Sequence, residues 1–238
     1  VEKFKMKALS FFAVVTCWVG VAFSSVSAAN GALKVAVLGV ISEAPRAEFD
    51  SKFPSLFKDQ FQGCSSCEAK NLTPYNEKGE LDRAALSAAV DKAAGEVQVL
   101  YLAWNEVMTA ENQKLLESLK KAAASGVVIV GPAGQPIGED PSHSLSRTLL
   151  GQVPDAVIIG ELNEKESLAR KSFYGPEMLT AIKPPKELLG QGLAPTLFAV
   201  RLAKEWGKKS QSEWVQHFRA RKSISRRIWP GLDEFFGR

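Results

Sequence analysis

Histidine is almost missing from this chain: there are two in 238 residues, His143 and His217. That scarcity excludes a multi-histidine metal centre and leaves only two imidazoles to act as a base. Cysteine is nearly as rare, at three, and Cys17 lies in the apolar N-terminal stretch. The other two, Cys64 and Cys67, form a C-S-S-C pair. Haem attachment would need a histidine after the second cysteine, where Glu68 stands, and a metal site would need two further ligands nearby. The turn Gly131 to Gly134 lacks the G-x-G-x-x-G spacing and the acidic follow-up of a dinucleotide site. There is no internal repeat and no low-complexity tract. No cofactor is therefore expected.

Long apolar runs are also scarce, and the clearest is Ala8 to Phe23. Lys3, Lys5 and Lys7 precede it, and the small residues Ser24 to Ala28 follow. A basic start, an apolar core and a Val-x-Ala end predict a secretory signal peptide, cleaved after Ala28. The competing reading is an uncleaved membrane anchor. Cleavage implies an exported protein, periplasmic or secreted, in which a local Cys64–Cys67 disulfide can persist. A redox-active pair is the alternative, although no thioredoxin-like βαβ context surrounds it. The formal charge of +4 divides unevenly: residues 1–28 carry +2, residues 29–200 carry −4, and the tail from Arg201 onward carries +6.

What remains is patterned as alternating strands and helices. Leu33 to Val40 reads as a first buried strand, followed by a helix near Arg46 to Phe61 and a short strand around Ala69 to Leu72. Leu81 to Ala94 is an alanine-rich helix, and Val97 to Ala103 the next strand. Thr109 to Ser125 reads as an amphipathic helix with Thr109 as N-cap, stopped by Gly126. The β-branched run Val127 to Val130 fits a strand covered on both faces. An exposed polar loop is expected over Gly138 to Gln152, then strands at Ala156 to Gly160 and Met178 to Ile182, and a helix from Ala194 to Trp206. This order predicts an α/β fold with a doubly wound, mostly parallel sheet flanked by helices. Ligand crevices of such sheets lie at the carboxyl ends of the strands, which directs attention to Gly131-Pro132-Ala133-Gly134-Gln135.

Four segments, in order, resemble the subtilisin-like serine proteases. LKVAVL (Leu33 to Leu38) is similar to the family's first strand, which ends at the catalytic Asp. Leu81 to Ala103 is similar to the helix and strand before the substrate-binding segment. KKAAASGVVIVGPAGQ (Lys120 to Gln135) is similar to A-x-x-x-G-V-x-V-V-x-A-A-G-N. VPDAVIIG (Val153 to Gly160), then RKSFYGPE (Arg170 to Glu177), resembles Y-P-x-V-I-x-V-G and R-A-S-F-S-x-x-G-P-E. The resemblance implies a shortened subtilisin-like three-layer sandwich over residues 29–209.

The catalytic positions do not follow. Gly39 stands where the family has its Asp, and no histidine occurs from Ile41 to Ser142, where H-G-T-H-V-A-G belongs. Gly192, in GQGLAP, stands where the nucleophilic Ser belongs, and Gln135 stands at the oxyanion Asn. A hydroxyl is a weak nucleophile without an adjacent base, and an oxyanion donor is idle when nothing attacks. The expectation is a pseudoprotease that binds a peptide or protein ligand in the old crevice. The resemblance sets the crevice beside Ala103-Trp104-Asn105, which makes Trp104 and Gln135 its candidate binding residues.

The alternative is a serine-type hydrolase with a relocated site. Its candidates are Asp140, His143 and Ser144, or a carboxylate pair from Glu161, Glu164 and Glu166. The tail, residues 210–238, mixes Trp214, Phe218, Trp229, Phe235 and Phe236 with five basic residues from Arg219 to Arg227. It reads as an amphipathic helix packed on the body, with contact to an anionic membrane surface as the other option. Nucleic acid is not an expected partner of an exported chain.

Overall fold

The apolar runs become the strands of one sheet. The computed structural model describes residues 36–61, 64, 67–135, 143–168, 172–184, 193–224 and 236. The signal-like segment, Asp140 and Gly192 lie outside the described residues. Strand β1 (Ala36–Ile41) leads through helix α1 (Arg46–Gln60) to β2 (Cys67–Asn71). A 3-10 turn (Arg83–Ala85) opens into α2 (Leu86–Ala93), which leads to β3 (Val99–Leu102). Helix α3 (Gln113–Ser125), β4 (Val128–Pro132), β5 (Val157–Glu161) and β6 (Met178–Ile182) follow, then α4 (Ala194–Glu205) and α5 (Gln211–Ile224). The strand order is β2-β1-β3-β4-β5-β6, and every neighbouring pair is parallel.

Parallel pairing buries both faces of the sheet, because the crossover helices must lie on them. Alternate residues therefore feed two separate cores. Ile41, Leu100, Leu102, Ile129 and Ile158 pack with α2, α3 and residues 145–153 on one side. Leu38, Val40, Val99, Tyr101, Val128, Val130 and Ile159 pack with α1, α4 and α5 on the other. The inner strands β3, β4 and β5 are apolar on both sides for this reason, which is why they read as unbroken runs, whereas the edge strand β2 (CEAKN) does not.

Three boundaries differ from the sequence reading, each for a local reason. Helix α3 begins at Gln113 rather than near Thr109. Asn112 accepts the Thr109 N–H at 2.9 Å and donates its amide to the Val107 carbonyl at 3.2 Å, so 107–112 closes as a separate turn ahead of the helix. Residues 145–152 are not an exposed loop. They form two 3-10 turns, and Leu145, Leu149 and Leu150 fall in the core beside α2 and α3. Strand β1 ends at Ile41, one residue beyond Val40, so Gly39 lies inside the strand and not at its end as the resemblance implied.

At the chain's far end, Trp214 and Phe218 of α5 are buried against Phe198 of α4 and near Phe236. The Trp214 indole N–H donates to the Trp206 carbonyl at 3.2 Å. Arg219 of the same helix holds Asp155 through two hydrogen bonds of 2.7 and 2.6 Å.

Candidate functional site

Where the strand order reverses, a doubly wound sheet opens a crevice. Here β1 connects outward to β2 across one face, and β2 returns to β3 across the other, so the switch point lies between β1 and β3. The residues just past the carboxyl ends of those two strands must line the crevice. They are Glu43 after β1, and Ala103 to Glu106 after β3.

A cleft of about 460 Å³ is found there, lined by Glu43, Arg83, Trp104, Glu106, Gly134 and Gln135 among others. The structure thus brings Trp104 and Gln135 together, as the resemblance implied. Trp104 is buried, and Gln135 is exposed at the rim. The turn after β4 comes so close to the β3 end that a β-carbon on Gly134 (φ +80°) would stand 2.4 Å from the Asn105 carbonyl oxygen. Only glycine fits a backbone at that distance and in that conformation.

Asn105 fixes this wall of the cleft. Its amide donates to the Ala133 carbonyl and to Thr148 Oγ1, both at 3.0 Å, and its carbonyl accepts the Leu150 N–H at 3.0 Å. The side chain is buried and spends its hydrogen bonds on the scaffold, so its role is structural.

The charged part of the cleft comes from three separate elements. Asp82 caps the 3-10 turn through the Ala84 and Ala85 N–H groups, which presents Arg83 toward the strand ends. Arg83 Nη1 donates to both oxygens of Glu106, at 2.9 and 3.1 Å, and Nη2 donates to Glu43 Oε1 at 2.5 Å. Burial pushes the Glu43 carboxyl above its ordinary value; Arg83 opposes the rise and Glu106 adds to it. Burial works against the Arg83 charge, but the hydrogen bond and charge of Glu106, with the charges of Glu43 and Glu111, outweigh it and hold the pKa up. The guanidinium therefore stays charged, and it has no proton to exchange in the working range.

The positions compared with a catalytic triad fall elsewhere. Gly39 is buried, and a β-carbon there would sit 2.5 Å from Leu72 Cδ1, 3.0 Å from Val97 Cγ1 and 3.3 Å from Leu100 Cδ1. Position 39 thus faces the apolar layer under α2, as Val37 and Ile41 do, and not the cleft. His143 is not among the residues lining the cleft. Its backbone has φ 32°, its carbonyl accepts the Tyr174 N–H at 2.8 Å, and its ring lies 6.5 Å from that of Tyr174.

Glu161, the last residue of β5, and Glu166 beyond it serve different partners. Glu161 accepts the Ala194 N–H at the start of α4 at 3.3 Å, while Glu166 pairs with Lys183 at 3.2 Å on the surface. Tyr101, against α4, accepts a hydrogen bond from Thr196, and burial pushes its phenol up to about 12, out of reach of acid–base work near neutrality. Cys64 and Cys67 are joined as a disulfide with Cα atoms 5.5 Å apart. Cys67 opens β2, so the bridge lies at the opposite end of the strands from the cleft. Among the described residues no group of three or more His, Cys, Asp or Glu side chains could hold a metal ion.

Sequence reasoning missed Glu43, Arg83 and Glu106. Each reads as an ordinary surface charge, and the only signal available was position: two lie just past a strand end and one in the first turn before a helix.

No protein-family model matches the chain, and no curated protein matches it in sequence. Solved structures do match in shape. A cold-adapted subtilisin-like serine proteinase is 14% identical over 76% of this chain and 80% of its own, with a TM-score of 0.56. The self-cleaved protease domain of PatA is 10% identical over 85% of this chain and 96% of its own, with a TM-score of 0.57. The epidermin leader peptide processing serine protease of Staphylococcus aureus is 11% identical over 82% and 72%, with a TM-score of 0.53. At such identities the likeness speaks for architecture alone. The chain has a subtilisin-like α/β fold, built on six parallel strands, with a charged cleft at its switch point.

Proposed function

We propose that this protein is an exported, catalytically inactive subtilisin-like module that binds a peptide or protein segment in the switch-point cleft. The observation that carries the reading is the character of the cation there. A proton-transfer site needs a group that gains and loses a proton near the working pH. The cleft instead holds a guanidinium clamped between two carboxylates, which is permanently charged and already satisfied. Thr109 supplies the one hydroxyl side chain in the described lining, and no imidazole stands beside it. A carboxylate at position 39 would have to enter an apolar layer. Glu161 already occupies an N–H at the start of α4, the helix that follows the Gly192 segment.

A second reading, a serine-type hydrolase with a relocated site, draws on the positive φ of His143, since strained backbone gathers at functional sites. A fluorophosphonate probe separates the two. Under the binding reading no serine is labelled; labelling that disappears in His143→Ala establishes the hydrolase instead.

A further inference from the structure

The cleft beyond Trp104 does not end at the Arg83–Glu106 pair. A second hollow of about 350 Å³ adjoins it, lined by Arg83, Ser87, Glu106, Thr109, Glu111 and Lys114 among others. Arg83, Glu106, Val107 and Thr109 line both hollows, so the ion pair stands where the two meet. The groove follows the chain from Ala103 to Thr109, past the end of β3. An extended segment of a few residues fits such a shape better than a compact small molecule.

Two features of the lining bear on what that segment carries. Among the described residues its ionisable side chains are Glu43, Glu106 and Glu111 against Arg83 and Lys114, so carboxylates outnumber cations there. Arg83 commits both terminal nitrogens to Glu43 and Glu106, so an incoming carboxylate would meet two like charges beside the guanidinium. An incoming cation meets the opposite: Glu43 uses one oxygen on Arg83, its side chain is 45% exposed, and Glu111 stands close enough to raise the Arg83 pKa by its charge. Independently, the Trp104 indole N–H is buried and has no acceptor among the described residues, although Trp104 lines the groove. A buried donor without a partner is costly, and a peptide carbonyl is the group that would satisfy it.

We infer that the groove takes an extended peptide carrying a lysine or arginine side chain. The cation lies among Glu43, Glu106 and Glu111, and a backbone carbonyl accepts from Trp104. This inference rests on the binding reading above. Charge complementarity of this kind decides which partner is accepted more than how tightly it is held.

The test uses the full chain and three fluorescein-labelled, end-blocked pentapeptides, Gly-Ala-X-Ala-Gly with X as Arg, Leu or Glu, followed by fluorescence anisotropy at low salt. The expected result is that the Arg peptide binds about tenfold tighter than the Glu peptide, with Leu between them. Glu111→Gln, which leaves the Arg83 bridge intact, narrows that ratio to about threefold, and Trp104→Phe, which keeps a ring and loses the N–H, weakens all three peptides alike. Thermal melts of the two variants show that they stay folded. Equal binding of the three peptides, or preference for the Glu peptide, overturns the basic-residue inference while leaving the binding reading intact. No binding of any peptide, together with serine labelling by the fluorophosphonate, overturns both.

Discussion

Restoring a carboxylate at position 39 is the sharpest probe of how this fold departs from a protease, because the two views of the site predict opposite results. If position 39 opened on a crevice, Gly39→Asp would be tolerated. The structure places it under α2, where a β-carbon would press on Leu72 Cδ1 at 2.5 Å and Val97 Cγ1 at 3.0 Å. Gly39→Ala should therefore cost about 1–2 kcal/mol, the lower part of the range for overpacking, since Leu72 can yield at its tip. Gly39→Asp adds a carboxyl with no hydrogen-bond partner in that layer, a further ~2–4 kcal/mol even when neutral. The total is a large part of the ~5–15 kcal/mol that holds a domain together.

The pH dependence sharpens the test. A buried carboxyl stays protonated when folded and ionises near pH 3.9 when unfolded, so its folded pKa is the higher one. Stability is then fullest below about pH 3.9 and falls by about 1.4 kcal/mol per pH unit above it, until the folded pKa is reached. Urea unfolding followed by tryptophan fluorescence at pH 4, 5 and 6, with Gly39→Ala as the reference, isolates this slope from every other titrating group. Finding Gly39→Asp as stable as Gly39→Ala at all three values would refute the placement of position 39.

Three more expectations follow from the same contacts. Asn105→Ala, by removing the partners of the Leu150 N–H and the Ala133 carbonyl, should cost about 2–4 kcal/mol in urea unfolding. It should also loosen the wall between the β3 and β4 ends, seen as faster hydrogen exchange at Leu150. Trp214→Ala should cost about 3–5 kcal/mol, because the indole is buried against Phe218 and Phe236 and holds the Trp206 carbonyl. The Glu43 carboxyl is raised by burial, so its contribution is complete below the unfolded value near 4.3 and is lost as pH rises through the folded value. Glu43→Gln should remove that loss, flattening the stability curve between pH 4 and 7 by less than about 1 kcal/mol, since the side chain is 45% exposed and screened.

The sequence by itself determined the layers. Unbroken β-branched runs such as Val127 to Val130 and Val157 to Ile159 have one economical use, a parallel strand covered on both faces. The amphipathic stretch ending at Gly126 supplies the covering helix, and the left-handed φ of 108° explains its stop. The order of the segments supported the resemblance to the subtilisin-like architecture, and that resemblance made Trp104 and Gln135 legible as cleft residues.

Local signals misled where long-range partners decide the outcome. Residues 138–152 look like a polar loop, yet Leu145, Leu149 and Leu150 find a core to enter only once α2 and α3 are in place. The resemblance sets Gly39 at a strand end, but the sequence does not say which face of β1 it belongs to; its neighbours Leu72, Val97 and Leu100 do. Above all, the cleft's charge was decided in three dimensions. Glu43, Arg83 and Glu106 are separated by 40 and 23 positions along the chain and carry no motif. They meet only because the sheet reverses its winding between β1 and β3, which brings the ends of two strands and the start of one helix to the same spot.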